Sequence, residues 1–195
     1  MSSNPDDQIR SFGMSGFLVS DDLRLVEQRY QIVLGHAAHE PVINSVEYPQ
    51  FEQSVRVEAA AMARHYELFY CLEQSIRKLI IETLFESAGE SWWSSGCIPA
   101  NIVRDVADRA QRDTDGGMTR RSDELIDYTT FGELSVIITS NWTLFTLILN
   151  SKRAVEKVMN SLNLLRGSIA HCCPLSEDEV IRLNLAVRDW FRMFG

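Results

Sequence analysis

The run from Ser151 to Phe194 constrains this chain most. Ala154, Val155, Val158, Met159, Leu162 and Leu165 recur at three- and four-residue spacing, and so do Val180, Leu183, Val187, Trp190 and Phe191. That period describes two amphipathic helices, each with one stripe to bury. The break between them carries its own punctuation. Gly167 stands where a helix end favours a residue that tolerates positive φ. Pro174 and Ser176 open the next helix, and Ser176 with Glu179 has the spacing of a capping box. Inside the break lie a permanent cation, Arg166, and an imidazole, His171, a side chain whose ordinary pKa is near 6.5. A cation beside an acid/base group on a turn held by two helices suits phosphodiester chemistry. The same pattern also describes an ordinary surface turn.

The rest of the chain repeats the helical period, and no strand alternation persists. A long helix is predicted from about Phe51 to Phe85, with a stripe through Leu68 or Phe69, Leu72, Ile76, Leu79 or Ile80, and Thr83 or Leu84. Glu73 and Arg77 lie four apart on it and read as a surface ion pair. Ser87 to Gly96 reads as a break holding Trp92 and Trp93, of which only one is expected to face the core. Pro99 suits the first turn of a helix buried through Ile102, Val103, Val106 and Ala110. On that helix Asp105 with Arg109 and Asp108 with Arg112 read as solvated i,i+4 pairs. Asp115, Gly116 and Gly117 mark a turn, with Arg120 and Arg121 after it in reach of a phosphate backbone. Thr130 and Glu133 form a second capping box, opening a helix through Leu134, Ile137, Ile138, Trp142 and Phe145.

Residues 1–50 divide from the rest: a polar tail to about residue 19, then a short helix opened by Ser20. His36 and His39 with Glu40 follow. Two imidazoles with no third ligand read as helix-end residues, so no metal and no cofactor is expected. The division is therefore 1–50, tail and helix, and 51–195, a helical domain.

The formal net charge of −8 disfavours a general nucleic-acid binder, because phosphate contacts dominate non-specific affinity. Any RNA site must concentrate positive charge locally. The most basic stretch, Lys152, Arg153, Lys157 and Arg166, surrounds the Arg/His break. The four cysteines, at 71, 97, 172 and 173, make no C-x-x-C pair and no disulfide framework, which points to a cytoplasmic setting. The N-terminus shows no basic region followed by an apolar run, so no signal peptide is expected, and no apolar stretch is long enough to span a bilayer.

Arg, four residues, then His between two late helices resembles the motif of the HEPN superfamily. The longer run Leu164-Leu165-Arg166-Gly167-Ser168-Ile169-Ala170-His171-Cys172-Cys173-Pro174 resembles one branch, the Swt-type HEPN domain, known from an mRNA-surveillance endoribonuclease and from many bacterial proteins. Tyr66 to Ile80, the pair Trp92-Trp93, and Asp127 to Leu134 fall in the order of that branch, so the resemblance spans roughly residues 55 to 193. It implies an all-α, HEPN-like helical bundle with an N-terminal helical extension. It implies a symmetric homodimer that brings two Arg/His pairs into one cleft, and a metal-independent endoribonuclease with Arg166 and His171 as catalytic residues. Asn163, Ser168, Lys157, Arg153, Arg120 and Arg121 are then the candidate RNA contacts, and Glu73 and Arg77 the groups behind them. A toxin or phage-defence setting follows from the same resemblance, with a cognate antitoxin or defence protein as partner and no membrane. The family usually sets a polar residue, most often Asn, directly after the Arg; here it is Gly167. That departure keeps a second reading open, a non-catalytic HEPN module that dimerises or binds nucleotides or RNA.

Overall fold

The computed structural model describes residues 47–195, together with residues 19–30 apart from 21, 24 and 28. The chain divides into two compact units, Met1–Phe51 and Glu52–Gly195. In the first, the described residues between 19 and 30 are helical. Ser20 lies inside that helix rather than capping it. A single 3-10 turn, Tyr48–Gln50, carries Pro49 at its start, and Tyr48 meets Phe51 edge-on at 6.3 Å. His36, His39 and Glu40 lie outside the described residues.

The second unit is built from helices alone among the described residues. They are α1 (Gln53–Ala88), α2 (Ala100–Asp115), α3 (Phe131–Ser140), the single turn α4 (Trp142–Phe145), α5 (Lys152–Ala170) and α6 (Glu177–Arg192). Short 3-10 turns, Gly89–Ser91 and Leu125–Tyr128, join the early ones. At 36 residues, α1 is about 54 Å long. Its burial begins at Phe69 and continues through Leu72, Ile76, Ile80, Thr83 and Leu84, so the structure takes Phe69 over Leu68 and Ile80 over Leu79 from the stripe that the spacing predicts. None of its residues before Phe69 is buried.

Helix α3 packs between α1 and α5, and α6 packs on α5. Phe131, Leu134, Ile137, Ile138, Phe145, Val155, Leu162, Leu183 and Trp190 join the α1 stripe in one core. Apolar burial of this kind contributes about 1.5–3 kcal/mol per large side chain. The C-terminus is pinned too. Asn150 N–H donates to the Met193 carbonyl at 2.9 Å, and Gly195 N–H donates to the Ile148 carbonyl at 3.1 Å. Both predicted capping boxes form, Thr130 with Glu133 and Ser176 with Glu179.

Several local expectations change. Trp92 is buried and Trp93 is half-buried against the same core, with the rings edge to face at 5.4 Å. The two adjacent tryptophans avoid opposite faces because they sit on a tight turn, not a regular helix. Phe191, expected inside, is 59 % exposed, and Ala186 takes the buried place. Arg109 does not pair along its own helix with Asp105. It crosses to α3, where Nη1 and Nη2 donate to both carboxylate oxygens of Glu133 at 2.8 and 2.6 Å, and Nη1 donates also to the Tyr128 carbonyl at 2.7 Å. A bidentate pair in a half-buried setting outcompetes a single solvated i,i+4 contact.

Candidate functional site

The end of α5 is built differently from its sequence reading. Gly167 lies inside the helix with ordinary helical φ, and the helix continues to Ala170. His171 is the C-cap, its N–H donating to the Gly167 carbonyl at 3.0 Å. The left-handed residue is Cys172, at φ 55°. Cys172 N–H donates to the Ile169 carbonyl at 3.3 Å and Cys173 N–H to the Ser168 carbonyl at 2.9 Å. Those two bonds are a Schellman closure, with Cys172 where Gly usually stands. The cap therefore falls five residues later than the glycine suggests, and it fixes the backbone of His171 while leaving its side chain exposed.

Arg166 sits one turn before that cap. Its Nε donates to Oε2 of Glu73 on α1 at 3.3 Å, with the Arg166 side chain 37 % exposed. The other oxygen of Glu73, Oε1, accepts from Arg77 Nη2 at 2.5 Å. Arg77 Nη2 donates also to the Thr129 carbonyl at 3.2 Å, and its Nη1 lies 3.6 Å from Asp127 Oδ1. Asp127 Oδ2 in turn accepts from the Ser122 hydroxyl at 2.6 Å. Glu73 and Arg77 are thus no surface pair. Their side chains are 13 % and 10 % exposed, and they tie α1 to the Asp127–Thr129 turn and to α5. The charges in this group balance, two guanidinium groups against two carboxylates, so its attraction for an anion rests on geometry. The geometry is specific: only Nε of Arg166 is committed, and its two terminal nitrogens make no hydrogen bond to the described residues.

Those nitrogens belong to a side chain that lines a cleft of about 230 Å³. Tyr66, Phe69, Tyr70, Glu73, Gln74 and Arg77 form one wall, and Arg166, Ile169 and Ala170 the other. His171 is not among its lining residues, and its imidazole makes no hydrogen bond or ion pair to the described residues. The structure brings Arg166 together with Glu73 and Arg77, but not with His171 in one pocket of a single chain.

The other candidate contacts separate. Asn163 is one turn before Arg166 on nearly the same face, and its amide nitrogen lies 3.7 Å from where a Cβ on Gly132 would stand. Ser168, Lys157 and Arg153 point to the far side of α5, between about 140° and 180° around the helix from Arg166. Lys157 instead lines a shallow groove with Ser161, Arg182, Leu185 and Asp189. Arg121 is already held by Asp113, through Nε at 2.7 Å and Nη2 at 2.9 Å, and its guanidinium lies 4.9 Å from the Tyr128 ring centre. Hydrogen bonding to Asp113 is the chief reason why Arg121 is held above its already high ordinary pKa and Asp113 below the ordinary carboxylate range. Arg120 is exposed, 4.0 Å from Asp123. Among the described residues, no group of three or more histidine, cysteine or acidic side chains is placed to hold a metal, and no helix is long and apolar enough to cross a membrane.

Two site residues escaped the sequence reading, Tyr66 and Tyr70. With Glu73 and Arg77 they form one row along α1 at spacings of four, three and four. That row was the available signal, since an aromatic pair leading into a charged pair on one face is not a core stripe.

Comparison with known proteins gives one result. Residues 67–195 match the model of the family described as Swt1-like HEPN, and the chain belongs to that family. The match begins at Glu67, two residues before the first buried residue of α1. No curated protein and no solved structure matches the chain.

Proposed function

We propose that this chain is a metal-independent endoribonuclease of the HEPN type, acting as a symmetric homodimer. The observation that supports the reading best is Arg166 itself: fixed through Nε by Glu73, with its terminal nitrogens bonded to none of the described residues, beside a cleft that it lines. Such a guanidinium is preorganised to take a phosphoryl oxygen and to stabilise charge that grows there. RNA carries its own nucleophile. The 2′-hydroxyl loses its proton to a neutral imidazole and attacks the adjacent phosphorus. The P–O5′ bond breaks, and an imidazolium returns a proton to the departing 5′-oxygen. The products are a 2′,3′-cyclic phosphate and a free 5′-hydroxyl. One imidazole cannot easily be both base and acid in a single turnover, and HEPN domains typically dimerise. In a dimer, His171 of each protomer supplies one of the two roles. A toxin or phage-defence setting in the cytoplasm, with a cognate antitoxin or defence protein as partner, goes with this reading.

A second reading has its own support. His171 stands outside the Arg166 cleft of its own chain, the nearby charges cancel, and Gly167 replaces the usual polar residue. These features suit a HEPN module that dimerises and binds RNA or nucleotides without cutting.

The deciding experiment incubates purified protein with single-stranded RNA in EDTA. The nuclease reading expects cleavage with 2′,3′-cyclic phosphate ends, lost in both Arg166→Ala and His171→Ala, from a protein that light scattering finds dimeric at micromolar concentration. Binding without cleavage selects the second reading. Cleavage that persists in both variants, or that EDTA stops, rejects the mechanism.

A further inference from the structure

Tyr66 and Tyr70 are one turn apart on α1, 60 % and 53 % exposed, with ring centres 6.1 Å apart and planes inclined by 32°. Large aromatic side chains at the surface of a helix carry a cost in ordered water unless something covers them. These two do not cover each other face to face, and both line the cleft that contains Arg166. The floor between them and α5 is apolar, made by buried Phe69 with Ile169 and Ala170. Gln74, on the same wall, is exposed and its amide makes no hydrogen bond to the described residues. The cleft thus has an aromatic end, a neutral donor and acceptor on one side, and a guanidinium with two nitrogens that bond to none of the described residues. At about 230 Å³ it is smaller than the ~300–1,000 Å³ of sites for drug-sized ligands.

We infer that Tyr66 and Tyr70 form a stacking subsite for one unpaired nucleobase, whose attached phosphate is taken by Arg166. The chemistry fits a base better than it fits an apolar peptide side chain. A base offers a flat π-face for the tyrosines, polar edges for Gln74, and an anion at a fixed distance along its backbone for Arg166. The row Tyr66, Tyr70, Glu73 spans about 10 Å along the helix, which sets the rings toward one end of the cleft and the Glu73-held guanidinium of Arg166 toward the other. A duplex base is already stacked and paired, so the subsite selects single strands. It also accounts for how an acidic protein holds RNA: stacking supplies affinity that a charge-balanced site does not. This inference rests on the reading of Arg166 as a phosphate contact.

The test measures binding of a short fluorescent single-stranded RNA, and of the same backbone with its bases removed, by anisotropy in EDTA. The proteins are full-length wild type, Tyr66→Ala, Tyr70→Ala, the double variant Tyr66→Phe/Tyr70→Phe, and Arg166→Ala, with circular dichroism as the check on folding. Each alanine variant is expected to bind the base-containing strand about tenfold more weakly and the abasic strand as wild type does. The double phenylalanine variant should keep the affinity, because it keeps both rings. Arg166→Ala should weaken both strands alike. Competition by adenosine 5′-monophosphate identifies the source of the nucleotide. Displacement at concentrations comparable to the strand assigns the cleft to free nucleotides, and displacement only at far higher ones assigns it to RNA. Alanine variants that bind like wild type, or an abasic strand that binds as tightly as the complete one, overturn the subsite. If Arg166→Ala still weakens both strands in that case, the phosphate reading survives alone. If wild type binds neither strand, both fall.

Discussion

Glu73 and Arg166, 93 residues apart in sequence, meet at 3.3 Å and join the longest helix to the end of the helix that carries the family motif. Arg77 holds the other oxygen of the same carboxylate, so one partly buried acid serves two cations of different standing. Arg77 is packed away and satisfied in part by a carbonyl; Arg166 is half-tied and reaches solvent.

That asymmetry sets a stability prediction. Arg77→Ala removes the buried partner of Glu73 and the donor to the Thr129 carbonyl. It should cost about 3 kcal/mol, the scale for breaking a buried, hydrogen-bonded pair. Arg166→Ala gives up one bond from a side chain 37 % exposed and leaves Glu73 paired. It should cost under about 1 kcal/mol. Urea denaturation of the two variants measures the difference through the midpoint at constant slope. Equal losses would show that Arg166 is a structural residue, and the case for a phosphate contact would weaken with it.

Acid should expose the second cross-helix pair. Burial tends to raise the pKa of Glu133, but hydrogen bonds from Arg109 and from the Thr130 N–H, with the charge of Arg109, more than offset it. Its carboxyl is held below the 4.5 of an unperturbed glutamate. A depressed folded-state value means that the stabilisation is present above the unfolded pKa and is lost as pH falls through the folded one. Wild type should therefore lose stability from this source only below about pH 4.5. Glu133→Gln, which keeps an acceptor for the capping box, should be less stable at pH 7 and show a shallower decline below pH 4.5. Thermal unfolding from pH 7 to pH 3 tests this, and parallel curves for the two proteins would refute it.

Much of this was legible in the sequence because it is set locally. Apolar spacing marks the course of the α1 stripe but not which of Leu68 or Phe69, or of Leu79 or Ile80, is buried, and side-chain chemistry marks both capping boxes. What was not legible depends on contacts between distant residues. Nothing near Arg109 announces that Glu133 will draw it off its own helix, and the residues around Glu73 do not announce Arg166, which only the family resemblance sets near it. The end of α5 misled for a different reason. Gly167 is the residue best suited to a left-handed cap, yet the helix passes through it and closes on Cys172. Helix ends are set by tertiary packing as well as by preference, and Ile169, packed against the core, holds the last turn in place. Arg121 looked free because Asp113, its partner, lies on the other side of a glycine turn.

The left-handed Cys172 makes its own prediction. A β-carbon at φ 55° costs about 1–2 kcal/mol relative to a relaxed residue, and glycine avoids that cost. Cys172→Gly should stabilise the protein by up to about 1 kcal/mol, because glycine gives some of the gain back as chain entropy. Cys173→Gly, at an ordinary backbone position, should stabilise nothing. Paired melting curves distinguish the two, and a loss of stability in Cys172→Gly would mean that its exposed thiol contributes packing.

Gly167 carries the sharpest test of function. A β-carbon there would meet nothing within 4 Å, so the position is an open site on a helix interior. Glycine in such a place costs roughly 0.5–1 kcal/mol relative to alanine, and Gly167→Ala should raise stability by that amount. Gly167→Asn should fit as easily, with a smaller gain because asparagine is a poorer helix former. It would also place a neutral amide donor next to Arg166, as the usual family pattern does. If the site is a weakened nuclease, Gly167→Asn should cleave RNA faster than wild type while Gly167→Ala does not. One well-placed donor at a developing oxyanion is worth up to ~100-fold or more. The comparison of the two variants separates chemistry from stability, since alanine gives the larger stabilisation and asparagine alone the donor. Gly167→Asn/His171→Ala completes the set: an increase that survives loss of the imidazole would place the activity outside the Arg166–His171 motif.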